Sequence, residues 1–221
     1  MTLPLLVVCA LRAEVWALRG GDWSDAPDGP PVLARTGMGR RRARRTVGAL
    51  LASGGYGALV VAGFGASVGP GTRAGDVIVA DGVRDPDGGS FPLDLAPPLV
   101  KALQTRGLTA HTGLHHTADH VVRGAERRAL HATGALAVDM EAAGVLAARA
   151  ELCPDLPAAV LRIVVDTPER ELIRPGTLPA GVRAWRALRA TVPALTEWHR
   201  QVAATPLEPL SPSSTLPQEA S

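Results

Sequence analysis

The sequence of 221 residues is poor in aromatics, cysteine and lysine. Phe, Trp and Tyr make up 3% of it, so a core must be built from Ala, Val and Leu. Lys101 is the single lysine among 23 basic residues, a skew that, with abundant Ala, Gly and Pro, reads as GC-rich coding bias. Cys9 and Cys153 sit in or beside apolar segments, with no Cys-x-x-Cys or Cys/His ligand spacing. Two reduced core thiols are therefore expected, and neither a disulfide nor a metal site. A formal net charge of +2 argues against a dedicated nucleic-acid surface. No apolar run approaches the ~20 residues that cross a bilayer. The opening Met1-Thr2-Leu3-Pro4 also lacks the basic start of a signal peptide, so a cytoplasmic location is expected.

What is present is ordinary globular composition, 46% hydrophobic and 20% charged, in a length that suits one domain. Continuous apolar runs at 3–9, 58–62, 77–80 and 158–165 predict strands covered on both faces. Shorter strand candidates lie at 32–35, 119–123 and 135–138. Helical patterns occupy 12–19, 40–53, 97–106, 141–152 and 179–204, the last broken by Pro193; residues 85–98 read as a loop. Residues 1–204 form the expected domain, and the Pro- and Ser-rich stretch 205–221 is expected to be a disordered tail. The alternation predicts an α/β fold, a single domain with a mixed, mostly parallel sheet flanked by helices. Ligands in such folds gather beyond the carboxyl ends of the strands.

Several short segments after strands carry chemistry. Glu14 falls in the first turn of a helix after the first strand, where a carboxylate also suits the helix dipole. Gly37-Met38-Gly39 follows the second strand and can open backbone N–H groups to an anion or a hydroxyl, with Arg40 beside it to reach a phosphate. Gly63-Phe64-Gly65-Ala66-Ser67 follows the third and lets backbone approach a ligand closely. It has neither the dinucleotide nor the P-loop glycine pattern, which disfavours nicotinamide enzymes and ATPases. In Asp139-Met140-Glu141 a Glu can accept two hydrogen bonds from a vicinal diol while Met lies against a sugar. Asp166 ends an apolar strand four residues after Arg162; desolvation there is expected to raise its pKa and fit it to give up a proton.

The order of Ala10-Leu11-Arg12-Ala13-Glu14-Val15, Thr36-Gly37-Met38-Gly39, Pro70 through Asp81, Val138-Asp139-Met140-Glu141-Ala142 and Arg162 through Asp166 resembles the purine nucleoside phosphorylase superfamily. The likeness is greatest to the methylthioadenosine/S-adenosylhomocysteine nucleosidases, and it spans residues 5–170. It implies that Asp166 protonates N7 of a departing purine, and that Glu14 and Arg162 hold and activate water. It further implies that Glu141 accepts the ribose hydroxyls and Met140 packs on the sugar. Gly39, Gly65, Ala66, Val121 and Val122 would complete the nucleoside site. No metal or organic cofactor is implied, inorganic phosphate being the one alternative co-substrate, and a homo-oligomer, a dimer above all, is expected.

The sequence departs from the nucleosidase pattern at Phe64, Ala66-Ser67, Val165 and Thr167-Pro168-Glu169, and residues 82–116 are shorter. A larger 5′ group is one implication. A hopanoid-associated branch, whose family activity is removal of adenine from adenosylhopane, is similar in its Asp-Met-Glu segment and in the acid followed closely by Pro. Two rivals remain: a non-catalytic nucleoside-binding member, and an arginine patch at 40–45 that attracts polyanions or anionic membrane.

Overall fold

The computed structural model describes residues 3–27, 29–167 and 177–204. The expected tail at 205–221, together with Pro168 and Glu169, lies outside them. The chain runs β1 (Leu5–Cys9), α1 (Arg12–Arg19), β2 (Val32–Arg35), α2 (Arg40–Ser53), β3 (Ala58–Ser67), β4 (Val77–Arg84) and β5 (Ser90–Pro92). It continues through α3 (Ala96–Thr105), β6 (Ala110–Thr117), α4 (Gly124–Ala132), β7 (Ala135–Asp139), α5 (Ala142–Leu152), β8 (Ala158–Asp166), α6 (Thr177–Ala190) and α7 (Val192–Ala204).

The expected α/β single domain with a mixed sheet is the observed one. β1 pairs in parallel with β2 and β3, β3 with β8, β4 with β6, and β6 with β7. β3–β7, β4–β8 and β4–β5 are antiparallel. Because β8 pairs both β3 and β4, the strands β3, β8, β4, β6 and β7 close on one another. Period-two side-chain alternation assigns each residue of β1 to one side of the sheet. Leu5, Val7 and Cys9 join the core with Leu18, Leu99, Leu188 and Trp198, while Leu6 and Val8 meet Val47, Leu51 and Leu146. Aliphatic residues supply nearly all of both cores; buried Trp198 has its indole N–H satisfied by the Leu95 carbonyl at 3.1 Å. Cys9 and Cys153 are unpaired. Among the described residues, no helix is long and apolar enough to cross a membrane.

Three expectations are corrected. The expected third strand stops at Ala62, whereas β3 runs to Ser67. Its glycines are needed there: a Cβ on Gly65 would lie 2.8 Å from the Arg162 Cβ, so only a bare backbone lets β8 pass. The register shifts between Gly65 and Ala66, and beyond that point β3 also pairs with β7. A strand over 119–123 is not formed; β6 lies earlier, at Ala110–Thr117, where His111 and His115 hide its apolar pattern, and α4 follows. The loop over 85–98 contains the short edge strand β5 and the first turn of α3, entered at Pro97 and Pro98 where missing N–H groups cost nothing.

Helices α2 and α5 pack closely because Gly144 faces the backbone of Arg40. A Cβ at Gly144 would overlap the Arg40 carbonyl oxygen. Gly144→Ala should therefore cost about 1–3 kcal/mol and lower the melting temperature by about 5 °C, measured by circular dichroism. An unchanged melting temperature would contradict this packing.

Candidate active site

A cavity of about 400 Å³ opens where β1, β3, β7 and β8 end, the place expected for a ligand in this fold class. Its wall at Asp139 is backed by a buried ion pair that joins β8 to β7. Arg162 donates from Nη2 and Nε to Asp139 Oδ2 at 2.6 and 2.9 Å, and both side chains are 1% exposed. The other oxygen of Asp139 accepts Thr117 Oγ1–H at 2.8 Å and the N–H groups of Glu141 and Ala142 at 3.2 Å each. Asp139 thus ends β7, satisfies the first turn of α5 and neutralises Arg162 at once. Burial pushes its pKa up, but Arg162, His115 and the hydrogen bonds outweigh that and leave it lowered. Burial opposes the charge on Arg162 too, yet Asp139, Glu141 and Glu14 together hold its pKa above the ordinary value. The imidazole of nearby His115 is pushed down to about 4, chiefly by burial, and adds no charge at neutral pH.

Two further carboxylates gather around this pair. Glu141 Oε1 accepts the Gly39 N–H at 3.0 Å, and Oε2 lies 3.6 Å from Arg162 Nη2. Gly39 has φ +94, a conformation that favours glycine, so the turn after β2 can aim its N–H at Glu141. Glu14, in the first turn of α1, reaches back to accept the Leu11 N–H at 2.7 Å and across to accept the Phe64 N–H at 2.7 Å. Its closeness to β3 depends on Gly63, where a Cβ would stand 2.6 Å from Glu14 Oε1 and 2.9 Å from Arg162 Nη1. Burial raises the pKa of Glu14 against the two backbone N–H groups and Arg162, and raises that of Glu141 against Arg162.

Asp166 reaches the same cavity from the end of β8 and is 4% exposed. Its carboxyl is buried, as expected from sequence, and it has a charged partner that the sequence reading did not name. Arg127 of α4 donates to Oδ2 from Nη2 at 2.8 Å and approaches Oδ1 from Nη1 at 3.4 Å.

Of the other expected residues, Met140, Gly65, Ala66, Val121 and Val122 line the cavity with Glu14, Glu141 and Asp166. Arg162 and Gly39 do not; Arg162 stands behind Asp139, and Gly39 acts on Glu141 through its N–H. Arg40 is not available for phosphate as expected, because Asp85, Asp87 and Asp119 bind it at 2.8, 2.6 and 2.8 Å. That triple contact takes Arg40 out of the arginine run, and Arg44 pairs with Glu151 at 2.8 Å. Arg127, Asp139 and Thr117 had no assigned part. A signal for Arg127 was present: it is one turn from Leu130, a charge on the stripe where α4 should carry an apolar residue.

Residues 21–178 match the family described as the phosphorylase superfamily. The chain belongs to that superfamily. Comparison with curated proteins gives no match. Among solved structures, a putative methylthioadenosine nucleosidase from Weissella paramesenteroides aligns at TM-score 0.71 and 18% identity, over 90% of this chain and 97% of that one. The 5′-methylthioadenosine/S-adenosylhomocysteine nucleosidase of Neisseria meningitidis, in complex with methylthio-immucillin-A, aligns at 0.70 and 19% identity, over 88% and 98%. Futalosine hydrolase of Helicobacter pylori aligns at 0.72 and 15%, over 91% and 99%. At these identities the likeness is one of fold.

Within this phosphorylase-superfamily fold, Asp139 holds a charge that nothing else would neutralise as closely. Asp139→Leu should cost about 3–5 kcal/mol by removing both close hydrogen bonds from buried Arg162, Glu141 remaining only at 3.6 Å. Chemical denaturation reads the loss, and an unmoved midpoint would show that Arg162 does not depend on it.

Proposed function

We propose that this protein hydrolyses the N-glycosidic bond of a purine nucleoside, adenine being the favoured base, with an apolar group on the 5′ carbon. The observation that carries the reading is the uneven charge of one cavity. Glu14, Asp139 and Glu141 surround Arg162 at one part of the wall, and Asp166 enters from the end of β8. A sugar becoming an oxocarbenium ion gains positive charge at its anomeric carbon, which carboxylates stabilise and an approaching phosphate dianion would have to oppose them to reach. Arg162 is committed to Asp139, and Arg40 to three aspartates outside the cavity, so neither supplies a free cation for phosphate.

In the proposed step the O–H bond of the Asp166 carboxyl breaks as a bond from hydrogen to purine N7 forms. The bond from C1′ to N9 breaks, and its electron pair leaves with the base, which departs neutral. Water adds its oxygen to C1′ and passes a proton to Glu14. Burial raises the pKa of Glu14, which makes it a stronger proton acceptor than an ordinary glutamate. Glu141, steadied by the Gly39 N–H, accepts the ribose hydroxyls, and Met140 covers the sugar.

The mouth of the cavity is apolar where Leu11, Met38 and Val121 stand exposed, at 37%, 63% and 58%, and Phe64 lies beside them. This favours, as a second reading of the substrate, an adenosine whose 5′ carbon bears a long hydrocarbon, of the adenosylhopane kind. Adenine release from 5′-methylthioadenosine, S-adenosylhomocysteine, adenosine and a 5′-alkyl adenosine tests both. The apolar 5′ substrates should turn over fastest, and nucleoside binding without release from any of them would overturn the enzymatic reading.

Asp166→Asn should lower turnover at least about 100-fold and, by removing the counter-charge of buried Arg127, also lower the melting temperature; wild-type turnover in a folded variant would remove the acid. Glu14 must be unprotonated to accept a proton, so activity should fall on the acid side at a pH above the ordinary glutamate pKa. Glu14→Gln should lower kcat and abolish that limb; a limb that persists belongs to another group.

A further inference from the structure

Resting on the reading above, we infer that Arg127 is a positioning residue for the acid: its guanidinium fixes Asp166 and stabilises the carboxylate that appears when the purine takes the proton. Arg127 is the one residue of α4 that is fully withdrawn from solvent, at 2% exposure. Burying an arginine is expensive and occurs where a counter-charge receives it; here that partner is the carboxylate proposed to do the chemistry. Nη2 and Nη1 face Oδ2 and Oδ1 at 2.8 and 3.4 Å, so the planar fork limits rotation of the carboxyl as a single ammonium would not. Both residues line the cavity, whereas Arg162, the other buried guanidinium, is occupied by Asp139. Arg127 Nε has no hydrogen-bond partner among the described residues, so its placement is not explained by other bonds of α4.

The proton balance explains why a cation belongs there. As Asp166 loses its proton, a negative charge forms in a water-poor wall. Arg127 compensates that charge within the same hydrogen-bonded pair, an interaction stronger after transfer than before it. Such an interaction lowers the barrier more than it strengthens substrate binding. Arg127 touches neither bond that breaks, and no proton leaves it.

The test compares Arg127→Gln and Arg127→Lys with the wild type, using adenine release from the best substrate of the panel above. Gln keeps a donor and removes the charge. It should lower kcat about 10–100-fold with KM changed less than about threefold. Lys restores charge without the fork, so it should recover part of the loss seen in Gln while leaving kcat at least about fivefold low. A folded Gln variant with wild-type kcat overturns the inference. Should the Gln variant not fold, Lys decides alone, wild-type kcat in it being the contrary result. A measurement without substrate follows the carboxyl ¹³C resonance that disappears in Asp166→Asn. At one fixed pH that resonance should move in Arg127→Gln, whose Asp166 carboxyl has lost its charged partner, and a resonance unmoved from the wild type overturns the inference. Wild-type turnover in Asp166→Asn would instead sink the acid itself, so the two failures are told apart.

Discussion

The buried pair of Arg162 and Asp139 is the constraint from which the rest of the site follows. At 2.6 Å and 1% exposure on both sides, it cannot be loosened without leaving a charge in the core. It ties the middle of β8 to the end of β7, and Asp139 Oδ1 meanwhile holds Thr117 and the start of α5. Glu141 follows at the head of α5, and Glu14 is drawn in across Gly63. One guanidinium thus organises three carboxylates that would otherwise repel one another.

Two arginines at the same cavity are given different work. Arg162 is neutralised before any ligand arrives, which leaves the surrounding wall with a surplus of carboxylates. Arg127 is set against Asp166 alone. The separation matters because proton donation and stabilisation of a cationic sugar ask for opposite electrostatics a few ångströms apart. The fold meets this with strand ends: β7 and β8 leave the sheet beside one another along the route through β3 and deliver Asp139 and Asp166 to different partners.

Much of this was legible in the sequence. The apolar runs of β1, β3, β4 and β8 announced covered strands, and the acids at 14, 139, 141 and 166 stood directly after strands or at their ends. Other parts were hidden for physical reasons. Gly63 and Gly65 resemble a loop because strand propensity measures side-chain packing, while here their value lies in having no side chain. β6 carries histidines where aliphatics would mark a strand. Pairings such as Arg127 with Asp166, or Arg40 with Asp85, Asp87 and Asp119, join residues 39 to 79 positions apart and leave no local trace. That is why Arg40 looked free for phosphate and Arg127 was not matched to Asp166.

The central claim is that water, and not phosphate, attacks a sugar whose base has been protonated. Turnover in ¹⁸O-water with phosphate present tests it most directly, by mass spectrometry of the sugar product. The account predicts one ¹⁸O at the anomeric position of a free sugar. A sugar 1-phosphate without the label would contradict it.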